Sequence, residues 1–182
     1  MTKIFSGDFS KLESDKRKKM LPPNEILEKL DIKKGDTLID FGCGIGYFSI
    51  PALSFVGRDG SVVAIDLNIE MIEELKRRTK GVSNIEIIQS DSLDDSKGDI
   101  LLFVNVVHEL DDPKKFLENS FKSLKPNGKM VIIDWQKKET GFGPQLSHRI
   151  SKEEVINMIG RDYVEHSIDD SLYFLVFPVS SM

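Results

Sequence analysis

Three glycines at alternate positions, Gly42, Gly44 and Gly46, lie between two acids, Asp40 and Asp66. The apolar pair Leu38 and Ile39 leads into Asp40, and the amphipathic stretch YFSIPALSFV follows Gly46. This reads as a buried strand entering a glycine-rich turn and then a helix. Glycine is needed in such a turn because it takes positive φ cheaply and lets a ligand approach the main chain closely. Asp66 ends the next apolar run, SVVAIDL, at the spacing where α/β nucleotide folds place an acid that accepts hydrogen bonds from ribose hydroxyls. The dinucleotide fingerprint G-x-G-x-x-G would need a third glycine where Tyr47 stands. Asp40 also lies close to where a pyrophosphate would sit, and a helix N-terminus favours anions, so an acid in that turn works against one. Both features weigh against a nicotinamide oxidoreductase. They favour a ligand with an adenosine, no phosphate and a positive charge.

The stretch LIDFGCGIG (38–46) resembles the first motif of class I S-adenosylmethionine-dependent methyltransferases, hydrophobic-x-D/E-x-G-x-G-x-G. VVAIDL (62–67) resembles the second motif and IIQSDSL (87–93), with its acid at Asp91, the third. DILLFVNVVHEL (99–110) resembles the fourth, and LKPNGKMVIIDW (124–135) the segment that follows it. The five elements come in the family's order and with its spacings over roughly residues 35–136. The pattern is nearest to the broad group of type 11 and quinone-biosynthesis C-methyltransferases. The resemblance implies S-adenosylmethionine as cofactor, S-adenosylhomocysteine as product and an in-line methyl transfer.

It also implies roles for particular residues. The turn Gly42-Cys43-Gly44, with Gly46 and Tyr47, passes under the ribose and the methionyl part, Cys43 serving as a small residue and not as a nucleophile. Asp40 favours the ligand's ammonium, directly or through water, and Asp66 takes the two ribose hydroxyls in charge-assisted bonds. Asp91 accepts from the adenine amino group, the Ser92 amide donates to a ring nitrogen, and Leu67 and Met71 enclose the ring. Asn105 sits on the same rim. His108, just past the fourth strand, is the candidate general base for an acceptor that must lose a proton, since an imidazole titrates near neutral pH. His148 and Arg149, in GFGPQLSHRIS, belong to the acceptor side, and His166 has a structural reading. Asn105-Val106-Val107-His108 is not the Asn/Asp-Pro-Pro-Tyr/Phe signature of the DNA and protein-glutamine enzymes, and a single cysteine is too few for arsenite methylation. The expected acceptor is a small molecule. A cofactor-binding partner subunit without its own catalysis is the alternative, which the intact motifs weigh against.

The elements that must hold these residues alternate along the chain. Strands are predicted over about 37–42, 61–67, 85–90, 99–106 and 129–135. Helices are predicted from an Asn24 N-cap to Leu30, over about 46–56, over 69–79 behind Asn68, from Asp112-Pro113 to Leu124, and from Ser151 to Ile159. Pro51 is tolerated only in a first turn, and Ser151 with Glu154 forms a capping box. Two late strands, about 163–168 and 172–178, are joined by a tight hairpin at Asp169-Asp170-Ser171. Repeated βα units ending in a hairpin predict an α/β fold, a doubly wound, mostly parallel sheet with helices on both faces and an antiparallel C-terminal edge. The family's sheet has seven strands, a Rossmann-like methyltransferase fold. One domain is expected: an N-terminal segment (1–23) that could act as a lid, a cofactor-binding core (24–136), and an acceptor loop, helix and hairpin (137–182).

At 182 residues, 40% hydrophobic and 30% charged, the chain has the composition of an ordinary globular domain with a full core. A net charge of −5 gives no electrostatic footprint for nucleic acid. One cysteine excludes an internal disulfide, and no His/Cys/carboxylate cluster has metal-ligand spacing. No apolar run reaches the ~18 residues of a membrane span, and the N-terminus lacks the apolar core of a signal peptide. The expectation is a cytoplasmic enzyme without membrane attachment.

Overall fold

The computed structural model describes residues 13–93 and 95–179. Strands β1 (Thr37–Phe41), β2 (Ser61–Asp66), β3 (Ile85–Gln89), β4 (Gly98–Val104), β5 (Leu124–Trp135), β6 (Val164–Glu165) and β7 (Leu172–Pro178) form one sheet in the order β3-β2-β1-β4-β5-β7-β6. The first five run parallel; β7 is antiparallel to both β5 and β6. The seven-stranded, mostly parallel sheet with an antiparallel hairpin at its end is therefore present as expected.

The helices are α1 (Asp15–Met20), α2 (Pro23–Lys29), α3 (Ser49–Val56), α4 (Ile69–Arg78), α5 (Pro113–Ser120) and α6 (Lys152–Ile159). Successive side chains of a strand point to opposite faces, and the central strands bury both. Leu38, Ile100, Val131 and Phe174 pack with Leu27 and Ala52 on one face. Ile39, Leu101, Ile132 and Leu175 pack with Leu117 and Val155 on the other. This explains why β4 reads as a continuous apolar run from Ile100 to Val104. The α4 residues Ile72 and Leu75 cover Ala64 of β2.

Several boundaries differ from the sequence reading. Asn24 lies inside α2, whose N-cap is Pro22; Pro23 fits the first helical position because it has no N–H to cap. Helix α3 starts at Ser49 instead of residue 46, since Gly46 has φ +89° and cannot be helical. Pro51 then falls in its first turn. Helix α5 stops at Ser120, followed by a 3₁₀ turn over Phe121–Ser123. Strand β5 starts at Leu124, with an irregular register against β4 between Gly98 and Ile100. Strand β6 is two residues long; it is the sheet edge, with Val164 52% exposed, and short edge strands resist unwanted pairing. The Asn68 cap and the Ser151–Glu154 capping box both form. No helix among the described residues is long and apolar enough to cross a membrane.

Candidate active site

The strand order reverses at β1, whose neighbours are β2 and β4, and ligand clefts of such sheets open beyond the carboxyl ends at this switch. Register places the chemistry on one rim. Phe41 is level with Phe103, and Val104 with Ile133. The next residues outward, Gly42, Asn105 and Asp134, together with Asp66 at the end of β2, reach the edge together.

The turn after β1 is tied to β2 before any ligand arrives. The N–H groups of Gly42 and Cys43 both donate to the Ile65 carbonyl, at 2.8 and 3.0 Å. Gly44 N–H donates to Asp66 Oδ2 and Asn68 N–H to Asp66 Oδ1, each at 2.8 Å. The absence of a side chain at Gly42 is required by space: a Cβ there would lie 2.3 Å from Val106 Cγ2, at φ +75°. Gly46 meets the same two constraints, φ +89° and a Cβ that would lie 2.4 Å from Leu75 Cδ1. It serves helix packing, which is why it is absent from the cleft wall. Burial raises the Asp66 carboxyl above its ordinary value against the opposing pull of the Asn68, Gly44 and Leu67 amides.

A cleft of about 720 Å³ follows, within the range of about 300–1,000 Å³ usual for small-molecule sites. Of the residues named from sequence, Gly42, Cys43, Gly44, Tyr47, Asp66, Leu67, Met71, Asn105 and His108 line it. Asn105 adopts φ +58°, and neither its amide nitrogen nor its oxygen has a hydrogen-bond partner among the described residues although both are shielded from solvent. Leaving such a pair unsatisfied is costly, so the site is built to receive a polar ligand. Burial pushes the Cys43 thiol well above its ordinary value, which fits its reading as a small residue.

Four of the residues expected to hold the cofactor lie elsewhere. Gly46 is accounted for above. Asp40 is buried one layer back and accepts a hydrogen bond from the Ser49 hydroxyl. Burial pushes its carboxyl up to about 6; the charge of Asp66 adds to the rise, while Ser49 and Arg17 oppose it. Asp91 is exposed, and Ser92 is engaged with Ser90, whose hydroxyl accepts its N–H at 3.1 Å. The segment after β3 is thus held by its own local bonds, outside the cleft wall.

On the opposite wall His108 Nδ1 lies 2.7 Å from Asp134 Oδ1, with the His108 side chain 8% and the Asp134 side chain 2% exposed. A carboxylate only accepts, so Nδ1 carries the hydrogen and Nε2 keeps its lone pair. Burial disfavours the imidazolium, but the charge and hydrogen bond of Asp134, helped by Glu109, outweigh it and leave the His108 pKa raised. Asp134 also accepts the backbone N–H of His108 at 3.2 Å and of Trp135 at 2.7 Å. Sequence reasoning missed Asp134. The signal was present, an acid ending a buried strand, as at Asp40 and Asp66.

The remaining wall comes from two segments. The rings of Trp135 and Phe142 meet edge to face at 5.5 Å, and Lys16 Nζ lies 3.2 Å from the Phe142 ring centre. Ser14, Lys16, Arg17 and Met20 of the N-terminal segment line the cleft. Residues 1–12 of the expected lid lie outside the described residues. His148 is exposed and Arg149 is 5% exposed; neither lines the cleft. Arg149 instead fastens the loop from within, donating to the carbonyls of Gln136, Lys138, Phe142 and Pro144 and to the Thr140 hydroxyl. His166 is structural, its N–H bonded to the Phe174 carbonyl and its ring against Phe174.

The family profile described as "Methyltransferase domain" matches residues 32–172. A crystal structure of a SAM-dependent methyltransferase from Aquifex aeolicus superposes with a TM-score of 0.87 at 28% identity, covering 98% of this chain and 100% of that one. A type 11 methyltransferase structure from Sulfolobus solfataricus, itself described as putative, gives a TM-score of 0.71 at 26% identity over 88% and 92%. Among curated relatives, the ubiquinone/menaquinone biosynthesis C-methyltransferase of Francisella tularensis subsp. novicida is 28% identical over 120 residues, 62% of this chain and 48% of that protein. The chain spans half or less of the length of the curated relatives it matches.

Proposed function

This chain belongs to the methyltransferase domain family and has the fold of its S-adenosylmethionine-dependent members, and we propose that it methylates a small aromatic acceptor bearing an ionisable hydroxyl. The observation that carries the reading is one cleft with two built ends. At one end Asp66, fixed to the glycine turn, and the Asn105 amide, without a partner among the described residues, suit an adenosyl ligand. At the other, an oriented His108–Asp134 pair stands beside the Trp135 and Phe142 rings.

When bound, S-adenosylmethionine supplies a methyl group on a sulfonium whose departure leaves a neutral thioether. Asp66 would hold the ribose hydroxyls, Leu67 and Met71 the adenine, and Asn105 a polar edge. No departing anion needs rescue, so alignment of the acceptor is the main contribution, worth up to ~7–11 kcal/mol in favourable systems. Trp135 and Phe142 provide flat apolar surfaces for that alignment. His108 Nε2 takes the acceptor's hydroxyl proton, and Asp134 keeps the ring in the tautomer that permits this. The curated relatives named for menaquinone and ubiquinone biosynthesis suggest the acceptor class, and the rings in the cleft agree with it.

Transfer of labelled methyl from S-adenosylmethionine to a panel of catechols, phenols and hydroquinones tests this reading. Transfer that falls by about 10²-fold or more in His108→Ala supports it. No transfer to any acceptor by a protein that binds S-adenosylhomocysteine would overturn it.

A further inference from the structure

Two cations stand against the aromatic wall of the cleft, and neither forms an ion pair among the described residues. Arg149 is 5% exposed, and its guanidinium carbon lies 5.2 Å from the Trp135 ring centre. Its hydrogen bonds go only to neutral groups, four carbonyls and the Thr140 hydroxyl. A buried cation without a bonded anion is expensive to keep, and neutral acceptors leave its charge to act on its surroundings. That charge reaches His108, where it opposes protonation. Lys16 of α1 is exposed and lines the cleft at the other ring, its Nζ 3.2 Å from the Phe142 ring centre. The acids gather at the far end of the same wall. Asp134 is spent on His108 and two backbone N–H groups, and Glu109 Oε1 lies 3.8 Å from His108 Nε2. Contacts therefore run in one line, from His108 and Asp134 through Trp135 and Phe142 to Lys16.

Resting on the reading above, we propose that the aromatic acceptor carries a carboxylate besides its hydroxyl and that Lys16 receives it, so that the site selects hydroxyaromatic acids over their neutral counterparts. The hydroxyl then meets His108, while the carboxylate is turned away from Glu109 and toward Lys16. This fixes which end of the acceptor ring faces the methyl group. The negative face of the Phe142 ring holds the ammonium in place. As a compact point charge with three donors, that ammonium can bind a carboxylate while resting on the ring. Arg149 adds to the attraction from outside the cleft without touching the acceptor. A single ammonium at the cleft wall matches a single negative charge.

Methyl transfer by the full chain to para-hydroxybenzoate and protocatechuate, each against its own amide, tests the assignment. Acid and amide differ in charge and hardly in shape. Wild type should show a kcat/KM about 10-fold higher for the acid than for the amide, the size of one charge-assisted contact. Lys16→Met should erase that preference through the KM of the acid, and Lys16→Glu should reverse it. The side chain is exposed, so neither variant endangers the fold. Equal kcat/KM of wild type for acid and amide would overturn the proposal, as would transfer to neutral phenols but to neither acid. A variant that keeps the preference while losing activity on both members would overturn it too. Those outcomes leave the methyltransferase reading intact; wild type that binds S-adenosylhomocysteine and methylates no acceptor sinks both.

Discussion

Replacing Asp134 by Asn probes the His108–Asp134 pair with almost no change in volume. The carboxylate accepts three N–H groups: Oδ1 takes His108 Nδ1–H and Trp135 N–H, and Oδ2 takes His108 N–H. An amide has one oxygen. Placed at Oδ1 it turns its NH₂ toward the His108 backbone N–H; placed at Oδ2 it turns it toward the other two. At least one buried donor loses its acceptor, a cost of about 1–3 kcal/mol. The charge lost with it adds a pH dependence whose sign is fixed. The folded pKa of His108 is raised above its ordinary 6.5, so the pair's stabilisation is complete below 6.5 and disappears as pH rises through the folded value. Asp134→Asn should therefore cost more stability at pH 6 than at pH 9 in urea unfolding. In NMR titrations the His108 midpoint should fall below the wild-type value, because burial then acts unopposed by Asp134. The acid limb of kcat/KM should move down with it, and kcat should drop by about 10²–10⁴-fold. An unchanged His108 midpoint together with unchanged kcat would refute the argument.

Asp66→Ala removes the acceptor of Gly44 and Asn68 N–H; it should cost about 2–3 kcal/mol in chemical denaturation and abolish S-adenosylhomocysteine binding in calorimetry. Asp40→Asn should act the other way on the ligand-free fold. The raised pKa, about 6 against 3.8, means that stability falls as pH rises from about 4 to 6, so the variant should be stabilised by up to about 3 kcal/mol at pH 8 and little at pH 4 in thermal unfolding. Arg149→Met strips five bonds from the 136–144 loop; acceptor KM should rise at least tenfold with cofactor affinity preserved, and equal loss of both would show that the loop has no separate role.

The fold was legible because its signals are local and mutually consistent. The apolar run of β4 announced a strand covered on both faces, and the glycine turn, the Asn68 cap and the Ser151–Glu154 box marked helix starts. Boundaries slipped where a conformational constraint overrode the pattern, as at Gly46, or where a doubled proline displaced a better capping residue, as at Asn24. In the site, residues adjacent to strand ends were found because chain order alone delivers them to the rim. Asp40 stands one layer behind the cleft because the alternation of a strand decides which side chains face it, and its own points back to Ser49. Arg17, Trp135 and Phe142 come from separate parts of the chain and meet only in three dimensions. The role of Arg149 is the same case: a basic residue in a loop gives no sign in sequence that it will be buried and bonded to four carbonyls.

Calorimetric titration of the purified chain with S-adenosylhomocysteine, and with NADH in parallel, tests the central claim most directly. The cleft predicts one saturable, micromolar site for S-adenosylhomocysteine and no heat with NADH. Absence of binding at millimolar S-adenosylhomocysteine, or saturable binding of NADH in its place, would contradict the account.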